Sequence, residues 1–317
     1  MRKVFGKSTA DPAAGLPVGA RLDFKPEIFP IGSSPGEYTV DNWDHFGCVL
    51  LQLHLVDGNT VSVHGSAVLV APGVAIAAKH VIDGFLTRLS IEEGASLSCM
   101  SIASSQAMIW HCRKITILPD ADLAILIIRY ASALPPEAIF RMAAITTRLP
   151  KVGEQVSMVG FTAMGGEFPF DPVGYTVVGH VRVSVGTIGA RYPTGRDKIM
   201  VPWPALEIAS SASGGMSGGP VFDKHGLLLG IVSTSFGAED HIGPSYVSLL
   251  WPALMTPIDA EWPNGVHVSG RSLHEFGRLC CIDRREALRR TSPTSWEYTA
   301  WESAKADDGP NPSPAHR

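Results

Sequence analysis

Little in this chain is available for covalent or metal cross-linking. It holds five cysteines, Cys48, Cys99, Cys112, Cys280 and Cys281, an odd number with no Cys-x-x-Cys spacing. Two of them are adjacent, which is poor geometry for bonding to each other. Neither a disulfide framework nor a structural zinc site is expected. Charge is also sparse: 18% of residues are Asp, Glu, Lys or Arg, and the net charge is −4 with histidines neutral. That balance gives no electrostatic case for nucleic acid, and no basic run marks a membrane surface. Long apolar runs are missing. The longest, such as residues 125–128 and 227–232, fall far short of the about 20 residues that span a bilayer. The basic start, Met1 to Ser8, has no apolar run behind it, and residues 9–37 are rich in Pro, Gly and Ala. The expectation is therefore no secretory leader and a cytoplasmic location, with a leaderless export route left open.

What is present is core-forming material. Hydrophobic residues make up 45% of 317 positions, enough for one large or two medium domains plus extensions. From Cys48 the pattern is one of strands. An apolar segment runs to Val56 and meets the hairpin signal Asp57-Gly58-Asn59; a second, residues 61–70, turns at Pro72-Gly73 and returns through Val74-Ala75-Ile76. Further short strands are predicted at 96–103, 106–110, 114–118 and 123–129. Residues 131–150, with Pro135, Pro136 and Pro150, read as a connector. A second set then opens at 152–161 and continues near 175–188, 198–202, 205–209, 219–223, 227–235 and 245–250. Many short strands with regular turn signals predict an all-β sandwich or barrels. Residues 1–44 read as an extended arm carrying Pro12, Pro17, Pro26, Pro30 and Pro35. Beyond 258, Ser272 as N-cap and Leu273, Phe276, Leu279 and Ile282 at helical spacing predict a helix over 272–290, followed by a disordered tail with Pro310, Pro312 and Pro314. No internal repeat is present.

Three segments carry chemistry. In Gly215-Met216-Ser217-Gly218-Gly219-Pro220 a serine sits among glycines that permit a tight turn, as an exposed nucleophile requires. Such turns also occur in ordinary hairpins, so the weight comes from what lies upstream. His80 ends a small-residue apolar strand beside Ala77 and Ala78. Asp122 opens the apolar strand Leu123-Ala124-Ile125-Leu126-Ile127-Ile128. Asp122 is preferred to Asp120 and Asp83 because it directly precedes that strand. His64, on an alternating strand, reads as outward-facing and solvated, and Lys79 as pointing outward.

The order His80, Asp122, Ser217 is that of the chymotrypsin arrangement. With Gly230-Ile231-Val232-Ser233 as a fourth motif, the chain resembles the trypsin/chymotrypsin-like serine peptidases across about residues 45–255, closer to their short bacterial members. The resemblance implies two antiparallel β-barrels with the active site between them. The first spans 45–135 and carries His80 and Asp122. A connector and the second span 136–258 and carry Ser217, and residues 259–317 form an extension. It also implies a serine endopeptidase without metal or cofactor. His80 would be the base, Asp122 its orienting anion, and Ser217 the nucleophile. The N–H groups of Gly215 and Ser217 would form the oxyanion hole.

Two departures from the family pattern matter. Met216 stands where trypsin-like zymogens carry an Asp that pairs with a newly cut N-terminus, so that mode of activation is not available. The oxyanion turn must be ordered another way, through a partner or through the arm. Ser211 replaces the Asp of the trypsin pocket floor, Val232 the His of glutamate-specific relatives, and Ser235 a pocket glycine. With Ser233 and Thr234 they describe a pocket for an uncharged residue. The alternative reading is a catalytically silent module on the same fold that docks a protein partner.

Overall fold

A computed structural model describes residues 2–6, 21–30, 34–57, 60–91, 95–103, 106–132, 137–162, 167–169, 175–236, 243–277, 279–292 and 295–301. Six strands form the first barrel: β1 (Leu50–Asp57), β2 (Thr60–Ala71), β3 (Val74–Ala77), β4 (Ser96–Ala103), β5 (Gln106–Ile117) and β6 (Ala124–Tyr130). Antiparallel pairing runs β1–β4–β5–β6–β3–β2 and back to β1, which closes the ring. Closure leaves no unpaired edge for another chain to join. The predicted pair 106–110 and 114–118 is one continuous strand, β5. Positions 58 and 59 of the expected hairpin lie outside the described residues, but their flanking strands pair from Asp57 to Thr60. Gly73 at the Pro72-Gly73 turn has φ +68°, and a Cβ there would lie 2.2 Å from the Trp262 carbonyl oxygen. The motif therefore needs glycine for both conformation and space.

The second barrel consists of β7 (Gln155–Thr162), β8 (Tyr175–Tyr192), β9 (Ala205–Ile208), β10 (Pro220–Asp223), β11 (Leu228–Ser235) and β12 (Ser245–Leu249). It closes in the order β7–β8–β9–β12–β11–β10. No strand forms at 198–202. The Asp197 side chain instead takes the N–H groups of Ile199 and Met200 at 2.8 and 2.6 Å, a local bond that competes with strand pairing. The barrels share one core. Phe222 of β10 stacks on Phe46, and Phe161 of β7 packs edge-on to Trp43, both from the 3-10 turn Trp43–Phe46.

Segments from both termini add to this frame. Arg2–Gly6 and Gly36–Val40 pair antiparallel with β8, while Arg21–Glu27 pairs parallel with Glu137–Ala143. The expected helix over 272–290 is absent. Ser272 does cap a turn, with Glu275 completing the capping box, but the turn is the single 3-10 element Leu273–Glu275. Gly277 at φ +48° and Arg284 at φ +52° take the chain out of helical conformation. The apolar spacing there instead serves burial: Leu273 is fully buried and Phe276 nearly so, in the common core. The expected tail lies outside the described residues. Among those described, no helix is long and apolar enough to cross a membrane.

One buried ion cluster anchors the second barrel. Arg148 grips both oxygens of Glu154 at 2.8 and 2.5 Å and donates to Asp223 at 2.7 Å. Asp223 in turn takes the N–H groups of His225 and Leu227 in the β10–β11 turn. Replacing Arg148 by Met would leave two buried carboxylates uncompensated, at a cost of about 3–5 kcal/mol. Urea unfolding at neutral pH should read that loss. Burial alone would raise the Glu154 carboxyl, but the Arg148 bonds and charge outweigh it and hold it low. A lowered folded value contributes stability above the ordinary carboxylate range and loses it as pH falls through the lowered value. The gap between native chain and variant should therefore narrow in acid.

Candidate active site

Strand β3 ends at Ala77, and helix α1 (Lys79–Ile91) begins two residues later. His80 thus sits in the first helical turn, just past the strand end. Its backbone N–H donates to Asp122 Oδ1 at 2.9 Å and its ring Nδ1 to Oδ2 at 2.8 Å. Ser233 Oγ donates a third bond, 2.5 Å, to Oδ2. Asp122 comes from the turn closed by Leu118 N–H to the Leu123 carbonyl at 3.0 Å, immediately before β6. The buried strand carries it inward, leaving it 3% exposed, whereas Asp120 and Asp83 stay on the surface. Burial alone would raise its carboxyl. The hydrogen bonds and charge of His80 and the Ser233 hydroxyl outweigh that and hold it below the ordinary carboxylate range. The His80 ring is half exposed and lines the cleft.

Ser217 stands on the opposite wall. The 213–216 turn closes through Met216 N–H to the Ser213 carbonyl at 3.1 Å, with Gly215 at φ +93°. That φ at the third position of a turn is glycine's. Met216 is fully buried in the apolar interior of the second barrel, so packing anchors this end of the turn. Gly218, at φ +84°, has no room for a Cβ, which would lie 2.0 Å from the Ser66 carbonyl oxygen. Ser66 binds the two barrels together here. Its N–H donates to the Ser217 carbonyl (2.9 Å) and its Oγ to the Gly215 carbonyl (3.0 Å), while Oγ accepts from Phe161 N–H at 2.9 Å. With the Gly215 carbonyl held away by Ser66, the N–H groups of Gly215 and Ser217 have no acceptor among the described residues. Paired N–H donors of this kind are what binding of an oxyanion requires.

Ser217 and His80 line one cavity of about 270 Å³ together with His64, Val81, Gly84, Phe85 and Gly215. The Ser217 hydroxyl donates to the Ser233 carbonyl at 3.2 Å and not to the His80 ring. Catalytic hydrogen bonds often tighten only when substrate arrives.

The pocket residues divide. Ser235 Oγ accepts from Ala212 N–H at 3.4 Å and lies beside the 211–213 segment. Thr234 is half-buried on the same strand. Ser211 donates to Glu37 at 3.1 Å. Ser233 contacts Asp122 and Ser217, so its side chain supports the cluster instead of lining a pocket wall. His64 is exposed as expected, yet it faces the cavity, bonded to Ser62 at 2.7 Å and edge-on to Phe85. Ser66 and Glu37 were missed because each depends on partners distant in the chain, and the cavity-facing place of His64 because it depends on the contact with Phe85 of α1.

The model of the trypsin-like peptidase domain matches residues 65–231, just over half the chain and the whole interval from His80 to Ser217. The chain belongs to the trypsin-like peptidases. Among solved structures this trypsin-like domain is similar to Deg5, at 15% identity and TM-score 0.47 over 66% of this chain and 87% of that one. It is also similar to the HtrA-type protease AlgW with tripeptide, at 19% identity and TM-score 0.44 over 66% and 58%. The MamO protease domain from Magnetospirillum magneticum is similar at 15% identity and TM-score 0.43 over 65% and 94%. No curated protein sequence matches the chain.

Proposed function

We propose that this trypsin-like domain is a working serine endopeptidase that cuts protein substrates through an acyl-enzyme. The observation that carries the proposal is the buried Asp122 bonded at 2.8 Å to a half-exposed His80 that shares a cavity with Ser217. Asp122 fixes the imidazole tautomer and leaves the other ring nitrogen able to take the Ser217 proton. Ser217 Oγ then bonds to the scissile carbonyl carbon, and the oxyanion meets the N–H groups of Gly215 and Ser217. The proton passes from His80 to the leaving amine. Water, activated by the same base, releases the second product.

An uncharged residue before the cut fits the pocket segment. Ser211 is neutral, and the charge of its neighbour Glu37 is paired with Arg182 at 2.9 Å. A peptide library should be cleaved after small to medium apolar residues. Cleavage mainly after Arg, Lys or Glu would sink this part.

Exposure to a fluorophosphonate followed by mass spectrometry tests the reading directly. One adduct on Ser217, lost in Ser217→Ala and His80→Ala, is the expected result. The resting bond from Ser217 to Ser233 favours a second reading, a silent docking module; an unlabelled chain that still binds peptides would support it.

A further inference from the structure

The trypsin-like domain carries Met216, not an acid, beside Ser217. We propose that Glu37, delivered by the N-terminal strand Gly36–Val40, is a positioning residue that holds the oxyanion turn in its working shape. The proposal rests on the peptidase reading above and adds how its site is ordered.

Strand Gly36–Val40 adds to β8 in antiparallel register, with Glu37 opposite Ser184. From there its carboxylate reaches the segment that runs into the nucleophile turn. One oxygen accepts from Ser211 Oγ at 3.1 Å; the other accepts from Ser213 Oγ at 3.4 Å and from Arg182 at 2.9 Å. The same Arg182 nitrogen donates to Ser213 Oγ at 3.2 Å. Ser184, the cross-strand neighbour, donates to the Ser211 carbonyl at 2.7 Å. Ser213 is the residue whose carbonyl closes the turn onto Met216 N–H. Both sides of residues 211–213 are thus fastened to the β8 layer, and the charged fastening comes from outside the barrel. The turn carries two glycines, Gly214 and Gly215, so its own sequence does little to fix it. Burial of Met216 fixes one end; Glu37 and Arg182 fix the other.

This arrangement separates rate from stability. Glu37 and Arg182 are both partly exposed, and partly exposed pairs contribute little to global folding. A misplaced oxyanion donor, in contrast, costs about 10²-fold in kcat.

The experiment compares the native full chain with Glu37→Ala, Glu37→Asp and Glu27→Gln. Glu27 lies on the neighbouring arm strand, paired with Arg141 at 3.4 Å, and controls for damage to the arm. Glu37→Ala should lose about 10²-fold in kcat with KM and melting temperature unchanged. Glu37→Asp should recover part of the rate, and Glu27→Gln should match the native chain. Hydrogen exchange of the 211–217 segment, which needs no turnover, should quicken in Glu37→Ala while the barrel strands stay protected. A native kcat in Glu37→Ala would overturn the proposal, as would a loss confined to KM for substrates with a basic residue before the cut. The latter would make Glu37 a pocket charge. Unchanged exchange at 211–217 would overturn it even in a chain that does not turn over. Failure of the native chain to take the fluorophosphonate bears on the peptidase reading alone.

Discussion

Replacing Ser217 by alanine is expected to lower kcat by about 10⁶-fold, and His80→Ala by a similar factor. On the proposed peptidase reading the two residues act as one unit: a hydroxyl is a weak nucleophile until a base removes its proton, and the base has nothing to activate without the hydroxyl. The double variant is therefore expected to be no slower than either single one. Rates on the preferred peptide, measured for all three variants at equal protein concentration, check this. Additive losses would show that Ser217 and His80 act in separate steps. Folding should survive in each variant, because Ser217 is only half-buried and the His80 ring is half exposed. The bonds that shape both turns run through the backbone N–H of His80, the Ser217 carbonyl and Ser66. A residual rate above that of water is expected, since the oxyanion donors remain in place.

Asp122→Asn is expected to cost about 10⁴-fold in kcat. The carboxylate accepts from the His80 ring, the His80 backbone and the Ser233 hydroxyl. An amide at this place can turn its NH₂ toward the ring, which puts the imidazole proton on the nitrogen that faces Ser217 and removes the base. The native Asp122 value is lowered, so its carboxylate is in place throughout the neutral range and is lost only as pH falls through that lowered value. Protonation of Asp122 should then not set the acid limb of the native rate profile. In Asp122→Asn, kcat should rise toward high pH, where hydroxide can stand in for the missing base. A flat profile with near-native kcat would remove Asp122 from the catalytic unit. Ser233→Ala tests the same carboxylate more gently and should shift the rate by less, because two bonds from His80 remain.

The readable parts of the site are those where local chemistry is compulsory. A histidine just past a small-residue apolar strand, an aspartate against a buried strand and a serine near glycines can each be recognised within about ten residues. Their order then restricts the arrangement. The barrels were legible for a related reason: alternating or continuous apolar runs bounded by Gly, Pro and Asn signal strands, and six such strands close without an edge. The predicted helix over 272–290 failed because its apolar spacing was real but served a different end. Leu273, Phe276 and Leu288 are buried against the core by a chain of short turns, and periodicity alone does not separate the two. The strand expected at 198–202 failed because one side chain, Asp197, took the backbone donors that pairing required.

Sequence by itself determined the class of fold, the order of the candidate residues His80, Asp122 and Ser217, and the absence of an acid before Ser217. Those features depend on residue type and on neighbours within one or two turns of chain. Only the tertiary structure decided how the site is held. Ser66 reaches Gly215 across 149 residues and Phe161 across 95, and Glu37 reaches Ser211 across 174. Single serines and glutamates carry no local signature of such partners. Their meaning comes from barrel closure and from an N-terminal strand laid along β8, which bring donors and acceptors from distant segments within 3.5 Å, where an unsatisfied polar group would be costly.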